Sequence, residues 1–147
     1  MFSPIGYVKS PVTAQTDRNW GGVISDVIIH DDLADGLRGL EDFSHMIVVY
    51  HLNEAKFIPD RHLVRRPQGR DDMPLLGIFA QRAKDRPNPI GVTAVELVSV
   101  TGNTVRVRGL DAIDGTPVLD IKPYYPQYDR RDAAAPGWVD RLMNDYF

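Results

Sequence analysis

The chain has 147 residues, of which 43% are hydrophobic, and its 17 basic and 20 acidic side chains give a net charge of −3. This length suits one globular domain with its own core, so we expect residues 1–147 to form a single domain. The negative balance excludes a global positive field that would collect nucleic acid, and any such contact needs a local patch. The lack of cysteine excludes disulfides, thiolate nucleophiles and cysteine-based zinc sites, and suits a cytoplasmic protein. Neither a basic, apolar leader nor an apolar run of membrane length is present, so we expect no standard export and no membrane partner.

Short strand-like runs dominate the pattern. We predict strands at 4–10, 23–30, 44–52, 76–81, 90–100, 104–110 and 116–122, with a short helical or irregular piece at 33–40. Gly102-Asn103 separates two of these runs and has glycine first, as a type II′ hairpin turn requires. Only 137–146 has the pattern of an amphipathic helix. Because short strands with one late helix do not form βαβ units, we expect a mainly β fold: a small antiparallel β-barrel, closed or nearly closed, with a short C-terminal helix.

The run 44–52 is apolar at the centre of both pleat faces, which predicts a strand deep in the sheet. We expect His45, at its start, to be buried and hydrogen-bonded, whereas His51 fits either packing or the rim of a pocket. The two histidines lie roughly 20 Å apart along an extended strand, too far to share a metal ion. His30 and His62 are expected at the surface, and we predict no metal site.

Two proline-rich polar stretches, 85–91 and 114–124, are the most informative local feature. Each proline fixes its own φ and restricts the preceding residue, so Arg86, Asn88 and Lys122 are held extended and present their side chains rigidly. Rigid turns that close strands are the alternative interpretation. In the second stretch, strand alternation predicts that Asp120 and Lys122 share a face with Thr116 and Val118, while Pro117, Leu119 and Ile121 face the core. That carboxylate and ammonium suit a ligand with both charges, or form a solvent-exposed ion pair.

Four arginines lie within ten residues, at 61, 65, 66 and 70. Planar guanidinium groups favour bidentate binding of phosphates, and Arg82, Lys84 and Arg86 extend the same local positive patch. A solvated charged face is the alternative.

Five stretches together resemble the TsaA/TrmO family: 2–6 (FSPIG), 37–45 (LRGLEDFSH), 77–82 (GIFAQR), 86–91 (RPNPIG) and 114–124 (DGTPVLDIKPY). The resemblance covers nearly the whole chain. It implies a small β-barrel that binds S-adenosylmethionine (SAM), outside the Rossmann methyltransferases. It also implies methylation of the exocyclic amine of threonylcarbamoyl-adenosine next to the tRNA anticodon, and a homodimer with its site near the interface.

The resemblance assigns site residues by position. The cofactor-binding residues would be His51, Leu52, Asn53, Arg82, Val92, Asp114, Gly115, Thr116 and Pro117, and the charge of Lys122 makes it a further candidate. Arg82 or Lys122 would bind the carboxylate of SAM. Asp120 or Asp114 is the expected catalytic carboxylate, either offsetting the sulfonium or accepting a proton from the attacking amine. Independently of the resemblance, the basic patch and the first proline-rich stretch supply the expected substrate-binding residues: Arg61, Arg65, Arg66, Arg70, Arg86 and Asn88.

Two features depart from the family pattern. Many relatives carry a Pro-Arg-Gln cofactor loop after the first strand, where this chain reads TDRNWGG at 16–22. The bacterial tRNA enzymes continue into a C-terminal domain that helps to hold tRNA, whereas this sequence stops at Phe147. Two alternatives therefore stay open beside tRNA methylation: SAM-dependent methylation of a small molecule, and a SAM- or nucleotide-binding module without chemistry.

Overall fold

A computed structural model describes residues 1–147. Its strands are β1 (Gly6–Lys9), β2 (Ile24–Ile29), β3 (His45–His51), β4 (Val64–Arg65), β5 (Leu76–Gly77), β6 (Ile90–Thr101), β7 (Thr104–Arg108) and β8 (Pro117–Pro123). The α-helices are α1 (Pro59–His62), α2 (Pro126–Asp129) and α3 (Gly137–Met143). Short 3₁₀ turns occupy Asp31–Leu37, Leu40–Asp42, Pro67–Gly69 and Ile78–Ala80. None of these helices has the length and apolar composition needed to cross a membrane.

Six strands close a barrel in the order β1-β2-β7-β6-β3-β8, and β8 pairs back to β1. All of these pairs are antiparallel, which confirms the predicted mainly β barrel. The two remaining strands, β4 and β5, pair with each other outside the barrel. The predicted hairpin is also present: Thr101 pairs with Thr104, and Gly102 has φ = 59°, as the first turn position of type II′ requires.

The barrel interior is filled by every second side chain. Val105 and Val107 of β7 are fully buried, as are Met46 and Val48 of β3. On the outer face, Arg106 donates to Asp26 at 2.9 Å and Arg108 pairs with Glu96 at 3.2 Å. The alternation of valine and arginine in this strand therefore separates core from solvent as the pattern predicts.

Three expectations about single elements are wrong. The run 76–81 forms a strand only over Leu76–Gly77, because Gln81 donates its side-chain amide to the carbonyls of Arg65 and Leu76 and so holds the chain in a turn. The C-terminal α-helix ends at Met143 rather than at 146. His45 is exposed rather than buried, because it lies at the start of β3 on the face outside the barrel, where its ring shares a 2.8 Å hydrogen bond with the Ser44 hydroxyl.

The face assignment of β8 is also wrong in its first half. A bulge lies opposite Val49 and Tyr50, where Asp120 pairs with Val49 but Val118 pairs with Tyr50. The extra residue, Leu119, reverses the alternation. Val118 is therefore fully buried, whereas Pro117 and Leu119 are only half-buried. Beyond the bulge, Asp120 and Lys122 share the outer face and Ile121 packs against the core, as predicted.

Candidate functional site

The predicted cofactor residues gather at one end of the barrel, where β3 finishes and β6 and β8 begin; we call it the site end. Tyr50 pairs with both Gly91 and Val118, and His51 pairs with Ile90. The end of β3 therefore lies between the starts of the other two strands. Of the predicted cofactor residues, this brings together His51, Leu52, Asn53, Val92, Asp114, Gly115, Thr116 and Pro117.

The first proline-rich stretch braces the end of β3. Leu52 donates its backbone N–H to Pro89 at 2.8 Å, so the Asn-Pro turn and the residues after β3 are joined directly. Arg82 donates to the carbonyl of Val92 at 2.5 Å, which places its guanidinium against the start of β6. Arg86 donates to the carbonyls of Gln81 and Ala83, at 2.9 and 3.2 Å, and so holds the turn that leads into this stretch.

The loop 114–117 is held against the end of β1. Gly115 donates to the carbonyl of Val8 at 2.8 Å, and the Asp114 carboxylate accepts the Ser10 N–H at 2.9 Å through one oxygen. Thr116 donates its hydroxyl to Ile113 at 2.7 Å. Gly115 has φ = 84°, a conformation that favours glycine, and no atom lies within 4 Å of the position its Cβ would take. The loop is thus rigid, with open space above Gly115 and the second oxygen of Asp114 unbonded within the chain.

Asp120 and Lys122 lie away from this loop, farther along β8. Lys122 pairs with Asp120 at 2.8 Å, and their side chains are 64% and 47% exposed. The hydrogen bond that Lys122 donates to Asp120 raises the pKa of the Lys122 ammonium above its ordinary value. The other oxygen of Asp120 accepts the Ile121 N–H at 2.9 Å. Both oxygens of this carboxylate are therefore engaged, whereas Asp114 keeps one available.

A carboxylate that sequence reasoning missed lies behind the site end. Asp111 accepts hydroxyl hydrogen bonds from Tyr50 at 2.9 Å, from Thr93 at 2.5 Å and from Tyr146. Burial, followed by the nearby charge of Asp111, raises the pKa of both tyrosines above the ordinary value, so both hydroxyls stay protonated donors at neutral pH. The only local signal is the position of Asp111, three residues before Asp114.

The predicted substrate arginines lie on and beside the β4–β5 hairpin and differ in what they contact. Arg61 is exposed, and its side chain makes no hydrogen bond or ion pair within the chain. Arg70 is held by Asp72 through two hydrogen bonds of 2.9 and 2.7 Å, and Arg66 donates to the carbonyl of Met73.

Asp85 organises the remaining basic groups beside this hairpin. Its carboxylate lies 3.7 Å from the His62 ring, 3.9 Å from Arg65 and 3.6 Å from Lys84, and it accepts the Lys56 N–H at 3.0 Å. Asn88, in the neighbouring proline turn, is exposed. The positive patch is therefore smaller than the count of arginines indicates.

An apolar groove of 590 Å³ lies elsewhere, between the 3₁₀ turns that follow β2 and the second half of β8. Its apolar walls include Ile29, Leu37, Phe43 and Ile121. Asp120 borders it, but none of the residues gathered at the site end does. No three His, Asp or Glu side chains are grouped in a way that would hold a metal ion.

A closed antiparallel barrel with rigid polar loops at one end places this chain among small β-barrel proteins rather than Rossmann enzymes. The chain belongs to the TrmO family, since residues 9–130 match the model of the tRNA-methyltransferase O N-terminal domain. The family and barrel predicted from the sequence are both confirmed.

Individual relatives agree with this assignment. An S-adenosyl-L-methionine-binding protein of Archaeoglobus fulgidus is 40% identical over 133 residues, which cover 88% of this chain and 92% of the relative. A mouse tRNA (adenine(37)-N6)-methyltransferase is 42% identical over 93 residues, 63% of this chain and 21% of that protein. The crystal structure of TrmO from Pseudomonas aeruginosa superposes with a TM-score of 0.76 at 30% identity, over 95% of this chain and 61% of that one. This chain thus spans about three fifths of the solved TrmO chain.

Proposed function

We propose that this protein is a SAM-dependent tRNA methyltransferase that binds SAM at the site end and methylates N6 of an adenosine. The observation that carries the proposal is the convergence of the residues after β3, the start of β6 and the loop 114–117 at one end of the barrel. These segments come from three distant parts of the sequence. Within this function, we propose threonylcarbamoyl-adenosine next to the anticodon as the target and the cytoplasm as the location.

The groups at the site end fit SAM. The open space above Gly115 accommodates an adenosine close to the backbone, because no side chain occupies it. Arg82 uses one nitrogen on the Val92 carbonyl and has further N–H groups for the carboxylate of the amino acid moiety. His51, Leu52 and Asn53 form the neighbouring wall. Lys122, which is paired with Asp120 and lies farther along β8, is the less suitable carboxylate ligand.

SAM supplies an electrophilic methyl group, and the chain aligns the acceptor amine with it. Of the two predicted catalytic carboxylates, Asp114 has the unbonded oxygen, so it is the better candidate to accept the proton of the amine or to offset positive charge. Its other oxygen is fixed by the Ser10 N–H. That contact orients the unbonded oxygen without competing for it.

The tRNA contact is proposed for the hairpin side of the barrel. Arg61 is the arginine whose side chain is free to contact phosphates, while Arg65 lies beside Asp85, and Arg66, Arg70 and Arg86 brace the neighbouring loops. Phe79 lies beside this hairpin and is 77% exposed, and an exposed aromatic ring among basic groups suits the stacking of unpaired bases. Asn88 projects from the neighbouring proline turn.

We also propose a homodimer. Ile90 and Val92 expose apolar side chains on the outer face of β6, and Leu63, Val64 and Leu75 do so on the hairpin. A two-fold contact between such surfaces would cover apolar area that a monomer leaves in water. Light scattering that gives 16.5 kDa at working concentration, rather than twice that mass, contradicts the dimer.

The test combines binding and transfer. Calorimetry measures SAM binding to the purified protein, and labelled SAM then reports transfer to tRNA that carries threonylcarbamoyl-adenosine and to an unmodified transcript of the same sequence. We expect SAM binding and labelling of the modified tRNA alone. Well-folded protein that fails to bind SAM refutes the site, and equal labelling of both RNAs refutes the proposed target.

The second candidate is a SAM-binding module without chemistry. The name of the Archaeoglobus relative, which matches over nearly its whole length, describes SAM binding only. SAM binding without labelling of either RNA, or of small molecules in a cell extract, favours this candidate. Labelling of a small metabolite in that extract instead favours methylation of a small molecule.

A further inference from the structure

The side chain of Asp111 is a junction between separate segments of the chain. It accepts the hydroxyl of Tyr50 from β3 and that of Thr93 from β6, and these two hydroxyls lie 3.2 Å from each other. A third hydroxyl comes from Tyr146, beyond the C-terminal helix. One carboxylate therefore joins four parts of the chain, counting the loop in which it lies.

Three of those parts carry the proposed cofactor residues. Tyr50 immediately precedes His51, Leu52 and Asn53, and Thr93 immediately follows Val92. Asp111 itself lies three residues before Asp114. Because Asp111 and its partners lie one to three residues from the proposed cofactor residues, a shift of the carboxylate would displace each segment of the proposed SAM site.

Packing makes this junction rigid. Tyr50 is 3% exposed, and its ring lies directly over Gly91, where an added Cβ would be 2.4 Å from two ring carbons. The start of β6 is thus packed against the ring whose hydroxyl Asp111 holds. Burial raises the pKa of Tyr50 and Tyr146 above the ordinary value, so both hydroxyls remain donors to the carboxylate into the alkaline range.

The C-terminal segment closes over the same point. Trp20 donates its backbone N–H to Tyr146 at 2.7 Å, and Asn19 donates to Asp145 at 2.9 Å. The backbone of Phe147 packs so closely on Gly21 that an added Cβ there would be 2.6 Å from the Phe147 carbonyl carbon. Tyr146 is therefore held in place independently of its bond to Asp111.

We propose that Asp111 is a positioning residue for the SAM site, fixing the ends of β3 and β6 relative to the loop 114–117 through three hydroxyl hydrogen bonds. The inference rests on the proposed function. Asp111 does not itself touch the cofactor. It lowers the number of arrangements the three segments adopt before binding, so that less freedom is lost when SAM binds.

The test uses two variants and two matched controls. Asp111→Asn removes the charge and one acceptor, and Tyr146→Phe removes one of the three donors while retaining the ring. Asp31→Asn alters a carboxylate that accepts the Asn103 side chain at the opposite end of the barrel. Tyr125 has a ring stacked on Phe43 and a hydroxyl that makes no hydrogen bond, and Tyr125→Phe removes this hydroxyl.

Calorimetry with SAM is performed at a temperature where circular dichroism shows every variant folded. We expect Asp111→Asn to weaken SAM binding about tenfold, which is 1.4 kcal/mol, and Tyr146→Phe to weaken it about threefold. Both controls should stay within about twofold of wild type. In steady-state assays, the KM for SAM of Tyr146→Phe should rise by a larger factor than its kcat falls.

Three outcomes overturn the inference. Folded Asp111→Asn that binds SAM as tightly as wild type shows that the carboxylate only stabilises the barrel. If Asp111→Asn does not fold, Tyr146→Phe decides in the same way: a lower melting temperature with wild-type SAM affinity and KM contradicts a positioning role. Failure of the wild-type protein to bind SAM refutes the proposed function itself, and this inference with it.

Discussion

The substitution Gly91→Ala tests the packing at the site end most directly. An alanine Cβ at this position would lie 2.4 Å from two ring carbons of Tyr50 and 2.9 Å from its hydroxyl oxygen. Carbon atoms pack comfortably at about 3.5–4.0 Å, so the ring must move by about 1 Å or more. The ring is buried in the core, so this movement strains its neighbours and draws its hydroxyl away from Asp111.

Two costs add in this variant. Overpacking a core costs about 1–3 kcal/mol, and weakening a hydrogen bond to a charged group costs up to about 1.5–3 kcal/mol. We therefore expect Gly91→Ala to lower the free energy of unfolding by about 3 kcal/mol. For a chain of this size, that corresponds to a fall in melting temperature of about 6–12 °C, measurable by calorimetry or circular dichroism.

Gly77→Ala is the matched control, because the same added methyl meets no atom within 4 Å there. It should change stability by less than about 0.5 kcal/mol. In a Tyr50→Leu background, which removes the ring, Gly91→Ala should cost less than about 1 kcal/mol, so the two changes are non-additive. Equal stability of Gly91→Ala and Gly77→Ala would show that the contact between Gly91 and the Tyr50 ring does not constrain the protein.

Three further predictions concern the loop, the patch and the buried hydroxyls. Gly115→Ala places a Cβ on a left-handed backbone, so we expect a stability loss of about 1–2 kcal/mol by thermal unfolding and weaker SAM binding by calorimetry; unchanged values for both would contradict the rigid loop. Arg61→Ala should lower the salt dependence of tRNA binding by about one counterion, whereas Arg70→Ala should not, because the Arg70 guanidinium is already held by Asp72. Equal slopes for the two variants in titrations at several salt concentrations would argue against phosphate binding by Arg61. Because folding raises the pKa of Tyr146, its protonated hydroxyl stabilises the fold at pH values below 10, the ordinary pKa of tyrosine, and this contribution is lost as the pH rises above 10. Denaturant unfolding at high pH should therefore show that stability falls less steeply with pH in Tyr146→Phe than in wild type.

The barrel strands were predictable where local alternation and burial coincide. In β7, valines and arginines alternate without interruption, and the strand lies within the predicted run. In β8, the same rule fails at Leu119, because a bulge adds a residue that local alternation does not reveal. The prediction for His45 failed for a related reason: its neighbours are apolar on both faces, and only the tertiary structure shows that its own side chain lies outside the barrel.

The candidate site likewise has a part that the sequence predicts and a part that it does not. The loop 114–117 and the turn before β6 are contiguous motifs, and their prolines and glycines indicate rigid backbone in the sequence itself. Asp111 and Tyr146 belong to no motif, since their partners lie far apart along the chain and meet only when the barrel closes. A lone aspartate in a loop looks the same in sequence whether it accepts hydrogen bonds from three hydroxyls or from none.

The bond from the Ile121 N–H to the Asp120 carboxylate has a consequence for how the protein avoids aggregation. β8 pairs with β1 only at Val118 and Pro117, so its second half has β3 on one side and no strand on the other. An open strand edge of this kind can recruit a strand from another molecule. The Asp120 side chain occupies a donor of the strand, while the paired charges of Asp120 and Lys122 keep this segment hydrated. The second half of β8 thus forms an unpaired edge in the barrel wall, and side chains rather than another strand protect that edge.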